Sequence, residues 1–194
     1  MMFWNEDGIR LALFVLALLL IPGSALCIER DLGFHQRGDV QWTQWLGTGE
    51  NHRIPSGTHV PHFCFDGLGV EYGKFISPRK SLGCELFLSE QIGSGNNNAG
   101  AILGDYRNYF FVHGRFAADY TAGIGVMHMR DKVSGQATKN NFCERLSVGL
   151  HYATGPNNAV SLEYRFYHAS NAGIERPNHG INATTVVIGY SWYR

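Results

Sequence analysis

Hydrophobic and polar positions alternate with period two through most of the chain beyond residue 40. Leu146, Val148, Leu150 and Tyr152 interleave with Arg145, Ser147, Gly149 and His151, and Tyr120, Ala122, Ile124 and Val126 interleave with Thr121, Gly123, Gly125 and Met127. Successive side chains of an extended strand point to opposite faces, so this pattern predicts strands with one apolar face and one small or polar face. Eight such segments are predicted, at 40–47, 62–76, 81–90, 105–116, 119–130, 142–153, 158–170 and 182–193. The connections alternate too: 77–80, 117–118 and 154–157 are short, whereas 48–61, 91–104, 131–141 and 171–181 are long. A soluble barrel has no reason to keep that rhythm and would turn its apolar face inward. The pattern therefore predicts an all-β fold, an eight-stranded antiparallel transmembrane β-barrel with its apolar band outside and a packed polar interior.

The N-terminus changes the picture by setting the compartment. Residues 11–21 form an unbroken apolar run, followed by Pro22-Gly23-Ser24-Ala25-Leu26-Cys27. The run is too short to span a bilayer and reads as the core of a secretory signal, residues 1–27, cleaved after Ala25 or Cys27. The barrel domain is then 28–194, and insertion must be by strands, which places the protein in a bacterial outer membrane. Formal net charge is zero, so there is no basic field for nucleic acid. Cys64, Cys84 and Cys143 lack CxxC spacing, and His59 and His62, the closest histidine pair weighed as a metal site, have Pro61 between them. No metal and no cofactor is expected.

Candidate chemistry lies at the end of the seventh segment. Val160, Leu162, Tyr164 and Phe166 continue in the same parity to His168 and Ser170, which puts an imidazole and a hydroxyl on the lipid-facing side. Residues two apart on a strand are ~6.5–7 Å apart at Cα, a gap these side chains can close to hydrogen-bonding reach. A base–nucleophile pair of this kind also needs an orienting group for the second ring nitrogen and donors for an oxyanion. Asn182 opens the next strand on the parity of Thr184, Val186 and Ile188, and Asn171, Ala172 and Gly173 follow the serine directly. The loop rhythm sends strand seven towards the outside, so the pair sits at the level of the outer leaflet, which in a Gram-negative outer membrane contains lipopolysaccharide.

The run Tyr164-Arg165-Phe166-Tyr167-His168-Ala169-Ser170-Asn171-Ala172-Gly173-Ile174, followed by Pro177-Asn178-His179-Gly180-Ile181-Asn182, resembles the signature of the PagL-type outer-membrane lipid A 3-O-deacylases. The resemblance implies that Ser170 attacks the ester linking a 3-hydroxyacyl chain to the 3-position of lipid A. It implies His168 as general base and then acid, and an oxyanion site at Asn171, Ala172 and Gly173, with no cofactor. The partners implied are lipid A and the surrounding outer-membrane lipids. One position departs from the family pattern: Asn182 stands where the type member has Glu. Asn can accept the imidazole Nδ1 proton, as in papain-like Cys-His-Asn sites, but supplies no charge. Glu175 is a possible substitute from the loop, and Glu163 and Arg165, of opposite parity, are expected to pair inside the barrel. The alternative reading is a structural or adhesin-like barrel that keeps the His-x-Ser strand without turnover.

Overall fold

The computed structural model describes residues 35–52, 60–92 and 97–194. The expected signal segment, 1–27, lies outside the described residues. The chain forms β1 (Val40–His52), β2 (Cys64–Ser77), β3 (Lys80–Ile92), β4 (Asn98–His113), β5 (Phe116–Met129), β6 (Asn140–Gly155), β7 (Asn158–Ser170) and β8 (Ile181–Tyr193). Each strand pairs antiparallel with its sequence neighbours and β8 closes on β1, giving a closed eight-stranded barrel. Among the described residues there is no helix long and apolar enough to cross a membrane.

The apolar face is outside. Ile124 and Leu150 are 63% and 64% exposed, and Leu86, Ile102, Leu146, Val148 and Ile188 share that surface. Aromatic side chains gather on this surface near the short-turn rim, as the interfacial girdle of a membrane barrel does. Trp42 meets Tyr72, Tyr190 meets Trp192, and Phe116 meets Tyr152. Both ends of the described barrel lie on this rim, where Val40 and Arg194 exchange backbone hydrogen bonds.

The interior is layered. Next to the short-turn rim His35 stacks on Phe75 and Tyr193, beside Tyr109. In the middle Arg107, Arg145 and Arg165 are set among Glu71, Glu85, Asp105, Asp119 and Glu163. Arg165 donates to Glu163 at 3.0 Å, the pairing expected from their parity, and also to Glu85 at 2.7 Å and Glu71 at 2.8 Å. Arg145 bridges Glu71 and Glu85. Towards the long-loop rim the lining turns apolar again, with Trp45, Phe87, Leu103, Tyr167 and Val187, then Val60, Met129, Val133 and Ile181. A wholly polar interior is therefore not what forms. Several inward positions are aromatic, and they stack above and below the ionic layer.

The boundaries that differ most from the sequence expectation are the end of β1, which runs on to His52 rather than stopping at 47, the start of β4, and the β4–β5 turn. β4 starts at Asn98 rather than 105, because the small residues Ala99-Gly100-Ala101 pair with both neighbouring strands instead of forming a loop. The turn between β4 and β5 is at Gly114-Arg115, with Gly114 at φ +53, and Ala117 and Ala118 are buried residues of β5. A bulge between Tyr109 and Phe111 shifts the register there and leaves Phe110 and Phe111 both exposed.

Candidate active site

β7 carries His168 and Ser170 to the long-loop rim on the lipid-facing parity. Its register sets His168 opposite Asn182 of β8 on one side and opposite Glu144 of β6 on the other, and sets Ser170 opposite Phe142. His168 Nδ1–H donates to Asn182 Oδ1 at 2.8 Å, which leaves Nε2 as the basic nitrogen. Asn182 is buried although it lies on the outward parity. His52 of β1 is its register partner on the far side and is itself hydrogen-bonded to Thr184. Gly180, at φ +68, packs on the imidazole: a Cβ there would lie 2.8 Å from His168 Cε1. Ser170 and His168 share no hydrogen bond among the described residues.

The loop after the serine is a tight turn. Ile174 N–H donates to Asn171 O at 3.1 Å, and the two central residues, Ala172 (φ +53) and Gly173 (φ +79), both have left-handed backbones. For Ala172 that conformation is strained, a cost that tends to be retained where the turn serves a site. The Asn171 side chain is buried in this turn: its Oδ1 accepts Gly173 N–H at 2.9 Å, its Nδ2 donates to Glu175 O at 2.9 Å, and its backbone N–H donates to Asn178 Oδ1 at 3.2 Å. Of the three residues expected at the oxyanion position, Asn171 and the Gly173 amide are thus engaged in shaping the turn. Ala172 N–H has no partner among the described residues. Glu175 is exposed, and its backbone carbonyl, rather than its carboxylate, is what meets the site.

Beside Ser170 the outer surface is concave. A groove of about 660 Å³ runs from Phe142, Asn171 and Ile174 across Val126 and Ile102 to Gly100 and Leu86. That volume is within the about 300–1,000 Å³ of small-molecule sites, and the groove opens on the outer, apolar face of the barrel.

Strand pairing brings in residues that the sequence reading passed over, Glu144 from β6 and His52 from β1, while Gly180, part of the signature run but given no role there, comes to the site from the β7–β8 loop. The one local signal was Glu144, an acid in the otherwise apolar row Phe142-x-Glu144-x-Leu146. His59 lies outside the described residues, and His62 meets Glu50 and Cys64 instead.

A closed, layered eight-stranded barrel with an apolar outer belt, carrying a His–Ser pair at its outer rim, defines the class of an outer-membrane β-barrel. The chain belongs to the lipid A 3-O-deacylase (PagL) family, whose model matches residues 22–191. Among solved structures it is similar to Neisserial surface protein A, with a TM-score of 0.63 at 10% identity, over 80% of this chain and 98% of that one. It is similar to the outer membrane enzyme PagL, with a TM-score of 0.56 at 19% identity, over 75% of this chain and 97% of that one. The attachment invasion locus protein Ail of Yersinia pestis gives 0.51 at 9% identity, over 82% and 100%. At these identities the likenesses bear on the fold. No curated protein matches the chain in sequence.

Proposed function

We propose that this barrel hydrolyses the ester that holds the 3-hydroxyacyl chain at the 3-position of lipid A, working from the outer leaflet with Ser170 as nucleophile. The observation that carries the reading is the His168 Nδ1–Asn182 Oδ1 hydrogen bond of 2.8 Å on the lipid-facing side, two residues from Ser170, in a chain of the deacylase family. With Nδ1 committed to Asn182, Nε2 is the base. Ser170 Oγ swings towards it, loses its proton and attacks the ester carbonyl. Ala172 N–H receives the oxyanion, in a turn held by Asn171 and Gly173. His168 returns the proton to the sugar oxygen as the C–O bond breaks. Water, deprotonated by His168, then attacks the acyl-serine and releases the 3-hydroxy fatty acid with Ser170 restored. The acyl chain lies in the groove past Phe142 and Ile174 towards Gly100, so it need not leave the bilayer to react.

Expressing the parent, Ser170→Ala and His168→Ala in an outer membrane and reading lipid A by mass spectrometry tests this. The parent should remove one 3-hydroxyacyl chain and release the free acid, while both variants insert normally and leave lipid A unchanged. Deacylation surviving in Ser170→Ala would move the nucleophile elsewhere.

The second reading, a non-catalytic structural or adhesin-like barrel, is favoured by one feature: Asn182 brings no charge to His168. Intact lipid A in cells carrying the folded parent would decide for it.

A further inference from the structure

At the outer rim of the β1–β2 hairpin three different ligand types converge. Glu50 and Cys64 are direct register partners on the lipid-facing parity. His62, two residues before Cys64, turns so that its Nε2 lies 3.1 Å from Glu50 Oε2. One sulfur, one imidazole nitrogen and one carboxylate oxygen lie within 4.8 Å of one another, and all three residues are exposed. We propose that Glu50, His62 and Cys64 form a binding site for a borderline divalent transition-metal ion, Zn²⁺ in the first place.

Donor chemistry selects the ion. Thiolate, imidazole and carboxylate are the three side-chain ligands of zinc, whereas Ca²⁺ and Mg²⁺ want six or more oxygens and find one carboxylate here. Cu²⁺ would bind the same donors but oxidises thiols, and Zn²⁺, with no redox chemistry, does not. Geometry agrees. With bonds of about 2.0–2.3 Å, neighbouring ligand atoms of a tetrahedral site are roughly 3.3–3.6 Å apart. The 3.1 Å separation of His62 and Glu50 is already close to such an edge. Bringing all pairs in from within 4.8 Å takes side-chain rotation alone, because none of the three is held in the barrel interior. Three protein ligands leave the fourth position to water.

The site is separate from the esterase machinery. Glu50 pairs on its other side with Thr184, so β8 lies between this cluster and β7, which carries His168, and the two share no residue. Neither chain spacing nor the His59–His62 pair foretold it, since Glu50 comes from the preceding strand.

Co²⁺ titration of the folded barrel in detergent, with thiols kept reduced, tests the proposal. The parent should develop a thiolate-to-cobalt charge-transfer band that saturates at one ion per chain and is removed by Zn²⁺. Cys64→Ser should abolish the band, and Cys84→Ser, at the other exposed thiol among the described residues, should leave it intact. Glu50→Gln and His62→Ala should each weaken Co²⁺ binding by about tenfold or more, since each removes a direct ligand. Gel mobility of unheated samples checks that every variant is folded. No band in the parent, a band that persists in Cys64→Ser, or parent-like affinity in both Glu50→Gln and His62→Ala would overturn the site; the last would mean a lone thiol binding cobalt.

Discussion

His168 asks two things of its neighbour, an acceptor that fixes the Nδ1 proton and a negative charge that stabilises the imidazolium, and Asn182 supplies the first. In the serine-protease triad, exchanging the acid for its amide lowers kcat by about 10⁴-fold, there through the wrong tautomer. Here Asn182 accepts, so the tautomer is right and the missing part is charge. Asn182→Ala should therefore lower the deacylation rate, and Asn182→Glu should preserve or raise it, measured as fatty acid released from purified lipopolysaccharide. Equal rates in all three proteins would remove Asn182 from the mechanism. Gly180 makes a second prediction. Its left-handed backbone and the 2.8 Å approach to His168 leave no room for a methyl group unless the ring moves. Gly180→Ala should reduce kcat about tenfold or more through a displaced imidazole, with the barrel still inserted and KM little changed. Parent-like kcat would mean that the ring has slack. His168, Ser170 and Asn182 were legible from strand parity because period two fixes the face of every residue. Placing Glu144 and His52 was not: Glu144 faces His168 across a hairpin whose register is shifted by a bulge between Ala153 and Gly155, and His52 faces Asn182 across the β1–β8 closure, whose register no connecting turn sets.

At the scale of elements, the outer faces of β4, β5 and β6 form one surface with a depression at Gly100. Gly100 is the register partner of Leu88 on β3 and His128 on β5, so one missing side chain opens the groove between larger neighbours. A Cβ on Gly100 would approach Leu88 Cδ2 to 3.2 Å, which that flexible tip can yield, so the strand should accept a larger residue. Gly100→Phe should fill the far end of the groove and shift preference towards shorter acyl chains, read as relative rates on lipid A species that differ in chain length. Unchanged relative rates would place the acyl chain elsewhere. The number and order of strands were legible for the same reason as the site, apolar alternation broken by turns. Where the alternation is weak, at Ala99-Gly100-Ala101 and around Ala117-Ala118, small residues look like loop although pairing on both sides holds them in strands.

In the whole molecule the ionic layer is what joins strands that do not neighbour one another. Arg145 on β6 reaches Glu71 on β2, Glu85 on β3 and Asp105 on β4, and it is 1% exposed. Removing one partner from such a cluster strands the others without compensation, typically at about 3–5 kcal/mol. Arg145→Ala should lower the stability of the refolded barrel by that order in urea unfolding from lipid vesicles. A midpoint equal to the parent's would mean that water replaces the guanidinium freely. Parity assigned Glu163 and Arg165 to this layer, but the share of each acid among three arginines depends on curvature and tilt, which no single strand encodes.

The same stacking has a consequence for the cell envelope. Among the described residues, aromatic rings at one end and interlocked charges in the middle pack the lumen, and aliphatic and aromatic groups at the other end line an apolar cavity bounded by Trp45, Met129, Tyr167 and Ile181. A cylinder whose middle is closed by paired charges is expected to pass ions and hydrophilic drugs poorly. An envelope densely populated with this protein should therefore keep its resistance and its exclusion of polar antibiotics, with the proposed active surface turned sideways into the lipid.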